Sequence, residues 1–322
     1  MSSVTVADAV AVLRRGGLVA FPTETVYGLG CDAENLEALH RLYAVKRRPS
    51  DHPVIVHISG ADALDRWSHD ASPSARKLAE ARWPGPLTLV VPRSDRVSDA
   101  VTGGRDTVGL RVPEPPIALE LLAAFGGGIA APSANRFGRV SPTTATDVRH
   151  DLGDDVDLVL DGGPCEVGLE STIVDCSTEP PAILRLGGIP TDEIATILGA
   201  TVDLRIDGAV AAPGTMPAHY APAAEVIVVE AGAAAARAAA LLASGRRVGV
   251  LAADPVPRDL PAGVVVLDPP GDVDEYAHVL YARLRDADRQ ALDVVLAVPP
   301  ADAGIGAAIA DRLARAARGS AQ

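Results

Sequence analysis

Lys46-Arg47-Arg48-Pro49 sets three cations in a row at the end of a helical stretch, with His52 and His57 shortly downstream. Arginine forks match phosphate oxygens and lysine acts as a point charge, so the run reads as a phosphate clamp. Cations complementing a helix C-terminus would give the same spacing. A second cluster, Pro22-Thr23-Glu24-Thr25-Val26-Tyr27-Gly28-Leu29-Gly30, follows an apolar run. Read as a turn leaving a strand, it uses its glycines for positive φ. Three polar side chains beside an apolar strand still need partners or solvent. A third cluster combines Arg111 at a predicted strand end with Ala131-Pro132-Ser133-Ala134-Asn135 and Ser141-Pro142. Ser and Asn are short, rigid donors and acceptors, and ordinary turn chemistry also accounts for Ser-x-Asn. The fourth is Gly168-Leu169-Glu170-Ser171-Thr172, with Arg185 ending a later strand; a Ser-Thr pair opening a strand also has a purely structural reading. Together, Lys46, Arg47, Arg48, Arg111, Arg139 and Arg185 are expected around one strand-end surface, where open α/β sheets bind ligands. The chain has 29 Lys and Arg against 42 Asp and Glu, a net charge of −13. Local positive charge on that background focuses a small polyanion, and a nucleoside triphosphate fits.

The elements that must position these groups alternate from the start. Helical spacing covers residues 6–15, 35–48, 74–83, 117–125 and 192–198. Strand patterns cover 18–21, 54–58, 87–91, 108–112, 129–131, 158–160, 172–174 and 182–186. Helices and strands intermix without strict alternation, which predicts a twisted mixed sheet in an α/β domain. Residues 209–224 hold three prolines and a glycine and read as extended. Beyond them, strands at 226–229, 247–251, 264–267 and 294–298 alternate with helices at 233–244, 274–288 and 305–317. This predicts a smaller doubly wound parallel α/β domain. The expected division is a catalytic domain over 1–204, a Pro-rich linker over 205–224 and a C-terminal domain over 225–322.

Several chemistries are excluded. The 322 residues suffice for about two domains at roughly 150 residues each. Cys31, Cys165 and Cys176 form no C-x-x-C pair, and their odd number argues against a disulfide framework and for a reducing compartment. There is no G-x-x-x-x-G-K-[ST] and no G-x-S-x-G, and Gly304-Ile305-Gly306 lacks the third glycine of a dinucleotide fingerprint. The pI near 4.9 and 3% aromatic content argue against general nucleic-acid binding. No apolar run reaches the ~20 residues of a membrane span, and Met1-Ser2-Ser3-Val4-Thr5 lacks the start of a secretory signal. A cytoplasmic location is expected.

The stretch from Phe21 to Gly30, the Lys46–Pro49 turn with His57, Trp83-Pro84-Gly85-Pro86-Leu87-Thr88 and Ala131–Asn135 resemble the YrdC-like domain of the threonylcarbamoyl-AMP synthase family. Gly168–Ile173 and Arg185 fit as well. Ala212-Pro213-Gly214-Thr215 and His219-Tyr220-Ala221-Pro222 resemble the linker of the long, two-domain form, although Thr215 stands where many relatives have methionine. The resemblance implies a YrdC-like fold and a nucleotidyltransferase that makes threonylcarbamoyl-AMP and pyrophosphate from L-threonine, bicarbonate and ATP. It implies Mg2+ accompanying ATP as the substrate complex, with no protein metal site. The product would pass to a tRNA-modifying transferase complex, with direct tRNA binding weak or absent and no membrane involved. It further implies Lys46 and Arg48 as catalytic. Thr25, His57, Arg111, Ala131 and Ser171 would surround threonine and bicarbonate. Lys46, Arg48, His52, Thr107, Ser133, Asn135, Ser141, Arg185, His219 and Tyr220 would hold ATP; His52 stands where some relatives carry Asn. Two other readings attach to this domain type: a non-catalytic RNA-binding module, and a carbamoyl-adenylating maturation enzyme, whose relatives are longer and carry zinc-binding cysteine clusters.

Overall fold

The computed structural model describes residues 4–206 and 220–320. These fall into two compact units. The first holds the described residues up to 137 together with 142–166 and 170–206; the second holds 138–141, 167–169 and the residues from 220 onward.

The first unit is built on a mixed sheet of ten strands: β1 (Val19–Phe21), β2 (Gly28–Asp32), β3 (Ile55–His57), β4 (Leu87–Pro92), β5 (Thr107–Arg111), β6 (Ile129–Ala130), β7 (Leu158–Val159), β8 (Thr172–Asp175), β9 (Ala182–Arg185) and β10 (Asp203–Leu204). Their order is β10-β9-β8-β4-β5-β3-β6-β2-β1-β7. Strand side chains alternate between faces, and β1 shows the consequence. Leu18 and Ala20 join one buried cluster, whereas Val19 and Phe21 join another. The second cluster is closed by the helices Val6–Arg14 and Pro116–Phe125, so the sheet is apolar on both faces here. Burying a side chain such as Phe21 contributes about 1.5–3 kcal/mol.

Two local features shape the site. Gly28–Asp32 is a strand antiparallel to β1, with Phe21 opposite Gly28, so the last three residues of the Pro22–Gly30 run are not turn. Its glycines hid it from strand propensity. They are there for space: a Cβ on Gly30 would come within 2.8 Å of the Phe21 ring. The helix expected over 35–48 runs only from Leu36 to Lys46, because Arg47 adopts the left-handed conformation (φ 53). Asn35 caps its start by accepting the Ala38 N–H at 3.1 Å. The helix Ala145–Leu152 and the short strand β10 were not legible from periodicity.

The second unit holds four strands, β11 (Glu225–Val228), β12 (Val248–Leu251), β13 (Val265–Val266) and β14 (Val294–Ala297). All pair in parallel in the order β11-β14-β12-β13, as the alternating pattern predicts. Helices Ala231–Ala243, Val273–Arg289 and Ile305–Ser320 accompany them.

Candidate active site

Parallel pairing of β3 and β5 sets His57 directly beside Arg111 at their carboxyl ends. The turn leaving β1 sends Glu24 to the same place and is ordered by its own hydrogen bonds. Thr23 Oγ1 accepts the N–H groups of Thr25 and Val26 at 3.2 Å each and stands 2.7 Å from both the Val26 carbonyl and Thr25 Oγ1. A carbonyl can only accept, so Thr23 donates to Val26 and the Thr25 hydroxyl donates to Thr23. Glu24 Oε2 accepts the Glu114 N–H at 3.0 Å, and Glu24 Oε1 lies 2.7 Å from Arg111 Nη2. Both side chains are almost fully buried, yet these two atoms are misaligned for a hydrogen bond. Arg111 Nε donates to Gly85 O at 3.3 Å. His57 packs edge-on to Phe21, with ring centroids 5.6 Å apart. Burial first, and then the Arg111 charge, push its pKa down to about 3. The imidazole is therefore neutral near pH 7.

Ser171 stands just before β8. Its hydroxyl is 2.7 Å from Thr88 Oγ1, and Arg185 donates to its carbonyl from Nε (3.1 Å) and Nη2 (2.8 Å) and to Oγ from Nη2 (3.0 Å). Thr172 N–H binds Pro86 O at 3.0 Å, which keeps this group beside Gly85, the residue that accepts from Arg111.

A third group gathers at the end of the helix Leu36–Lys46. Lys46 is fully buried, and its Nζ donates to the carbonyls of Ser133 and, at 2.5 Å, Asn135. Burial, and secondarily Arg48, hold its pKa well below the usual lysine value. The left-handed turn at Arg47 leaves that residue exposed and returns Arg48 inward, where it donates to Pro53 O at 2.9 Å and lies 5.7 Å from the Phe137 ring. His52, also near Phe137, has its pKa lowered by partial burial and Arg48. Ala131 N–H binds Ile55 O at 2.9 Å, and Gly28 bridges Ser133, so the Ala131–Asn135 segment links this group to β2 and β3.

The predicted residues thus form linked groups, with corrections to the single strand-end surface. Thr107 begins β5, four residues from Arg111 and about 13 Å away at ~3.3 Å per residue. With His52 and Arg48 it belongs to the opposite end of β3 and β5. Arg139 lies in the second unit, 3.5 Å from Asp288. Ser141 and Tyr220 also fall in that unit; Tyr220 is buried between the Tyr281 ring (5.6 Å) and the Arg312 guanidinium (5.1 Å). His219 lies outside the described residues. Glu24 and Thr88 were not among the expected site residues, although Glu24 stood out as an acid needing a partner beside an apolar strand and Thr88 lies in the Trp83–Thr88 segment. Among the described residues, no three His, Cys, Asp or Glu side chains gather to hold a metal, and no helix is long and apolar enough to cross a membrane.

Residues 11–187 match a protein-family model described as "Telomere recombination", and residues 189–318 match one described as "Threonylcarbamoyl-AMP synthase, C-terminal domain". A threonylcarbamoyl-AMP synthase of Pyrococcus abyssi is 41% identical over 319 residues, covering 94% of this chain and 91% of that protein. The chain belongs to the threonylcarbamoyl-AMP synthase family. A family member from Bacillus subtilis is 39% identical over 332 residues, 98% of this chain and 93% of its own length. The crystal structure of P. abyssi Sua5 complexed with L-threonine matches with a TM-score of 0.91 at 39% identity, covering 98% of this chain and 94% of that one. Membership of this family makes the chain an enzyme of the nucleotidyltransferase type.

Proposed function

We infer that this chain condenses L-threonine, bicarbonate and ATP into threonylcarbamoyl-AMP and pyrophosphate. The observation that carries the reading is the near full-length likeness to a Sua5 structure complexed with L-threonine. The buried grouping of His57, Arg111 and Ser171 at one end of β3 and β5, with Glu24 reaching Arg111, supports it. In this reading Arg111 takes the threonine carboxylate, and Thr25, His57, Ala131 and Ser171 enclose the side chain and bicarbonate. Lys46, Arg48 and Arg185 face the phosphates, and His52, Thr107, Ser133 and Asn135 hold the nucleoside. Mg2+ arrives on the ATP phosphates, as a small hard cation that keeps several waters does. Residues 1–204 form the catalytic domain, 205–224 the linker and 225–322 the C-terminal domain. The protein acts in the cytoplasm and hands its product to a tRNA-modifying transferase complex.

The chemistry asks little covalent help of the protein. The threonine amine captures bicarbonate as a carbamate, and a carbamate oxygen displaces pyrophosphate at the α-phosphorus. Positioning and charge stabilisation supply the rate. This agrees with a site rich in fixed donors. The three cysteines are buried, and burial raises each thiol pKa, which makes them poor nucleophiles. The test is pyrophosphate release from ATP with L-threonine and bicarbonate added or withheld in turn. Release is expected only with both; release indifferent to threonine contradicts the reading.

A further inference from the structure

Three buried polar atoms of the first unit have no aligned hydrogen-bond partner and lie in one neighbourhood: Glu24 Oε1, Arg111 Nη2 and His57 Nδ1. Their residues are 2%, 4% and 3% exposed. Buried polar groups are nearly always hydrogen-bonded, so three that lack an aligned bond at one point need a reason. Glu24 Oε1 and Arg111 Nη2 stand 2.7 Å apart, an anion and a cation that attract without a directed bond. An α-amino acid carries its ammonium and carboxylate on a single carbon, so it can meet such a pair in the opposite sense, ammonium to Glu24 and carboxylate to Arg111.

Resting on the function proposed above, we propose that Glu24 Oε1 docks the α-ammonium of threonine and takes its first proton. Glu24 is fixed for this by its other oxygen, which accepts the Glu114 N–H, and by the ordered Thr23–Val26 turn. His57 is the competing acceptor. Burial and Arg111 keep it neutral and weakly basic, which suits it to a hydrogen bond and not to receiving this proton. The ionisable groups around Glu24 are Arg111, Glu114 and Cys165, with His57 beyond Arg111 and Glu166 beyond Glu114.

Threonine enters with an –NH3+ group, and one proton passes to Glu24, freeing the nitrogen lone pair. That pair forms the N–C bond to bicarbonate. The C–OH bond breaks, and hydroxide leaves as water with a second N–H proton. The carbamate carries one negative charge, and the net proton stays on Glu24 until solvent removes it.

Calorimetric titration of L-threonine and its 2-hydroxy analogue, 2,3-dihydroxybutanoate, into the full-length protein tests the assignment. Wild type is expected to prefer threonine roughly 10- to 100-fold, the worth of one buried charge-assisted bond. Glu24→Gln is expected to abolish that preference while still binding the analogue, and to lower kcat at saturating threonine. Equal weakening of both ligands with the preference intact means that Glu24 only props Arg111, and it overturns the proposal; unchanged binding does the same. Should Glu24→Gln fail to fold, Glu24→Asp carries the test. It keeps the charge but withdraws it by a methylene, so kcat is expected to fall more than KM rises, and unchanged kcat overturns the proposal. Threonine-dependent pyrophosphate release by wild type, with the preference surviving in Glu24→Gln, removes this proposal alone. Wild type that binds neither ligand removes the functional reading and the proposal with it.

Discussion

His57 shows how one buried side chain links the site to stability. Its pKa is pushed down to about 3 in the folded protein, first by burial and then by Arg111, against 6.5 when unfolded. Above pH 6.5 the ring is neutral in both states and imposes no penalty. Between pH 6.5 and about 3 the unfolded chain binds a proton that the folded one refuses. Stability therefore falls with falling pH, by up to ~1.4 kcal/mol per pH unit from this group. His57→Gln is expected to flatten that part of the pH–stability curve, read by chemical denaturation at pH 7, 6, 5 and 4. An unchanged slope would contradict the assigned burial. Residue types made much of this site legible. Thr25, Arg111, Ser171 and Arg185 are polar residues at strand ends, and all four are held in bonded groups there. Lys46 is held in a way its charge does not reveal: two of its three donors are spent on the Ser133 and Asn135 carbonyls.

At the scale of elements, placement depends on backbone approach more than on pattern. Gly187 follows β9 with ordinary φ, but a Cβ there would meet Glu170 O at 2.3 Å and the Ser171 and Thr172 backbone at 2.4 Å. Those neighbours are main chain and cannot swing aside. Gly187→Ala is expected to push the Glu170–Thr172 segment off the sheet, destabilising the fold by about 1–3 kcal/mol. Because Ser171 moves with it, KM for threonine should rise more than KM for ATP. Thermal unfolding with steady-state kinetics checks both, and an equal or absent KM effect contradicts the placement of Ser171 in the threonine group. Apolar periodicity located most long helices and strands, with their ends shifted by a few residues. It missed β2 because glycine carries no apolar signal, and it ran the 35–48 helix too far because nothing in Lys-Arg-Arg marks a left-handed turn. The Ala145–Leu152 helix escaped because charged and polar residues dilute its apolar face.

Across the whole molecule, the sequence predicted the mixed sheet and the separate parallel sheet, because both rest on apolar alternation over many residues. It did not predict that residues 138–141 and 167–169 group with the second unit, since such short segments have no periodicity. It also set Arg48 and Arg111 on one surface, although Arg48 bonds Pro53 ahead of β3 and Arg111 ends β5. A nucleotide with an amino acid at one extremity accounts for that spread better than a single compact anion does. The central claim is that one active site joins threonine, bicarbonate and the adenylyl group of ATP. It is tested most directly by incubating the protein with ATP, L-threonine and carbon-13 bicarbonate and examining the AMP conjugate by mass spectrometry. A conjugate containing threonine and one labelled carbon is predicted, and it should vanish when threonine is withheld. A threonine–AMP conjugate without the label, or a labelled one formed without threonine, would contradict the account.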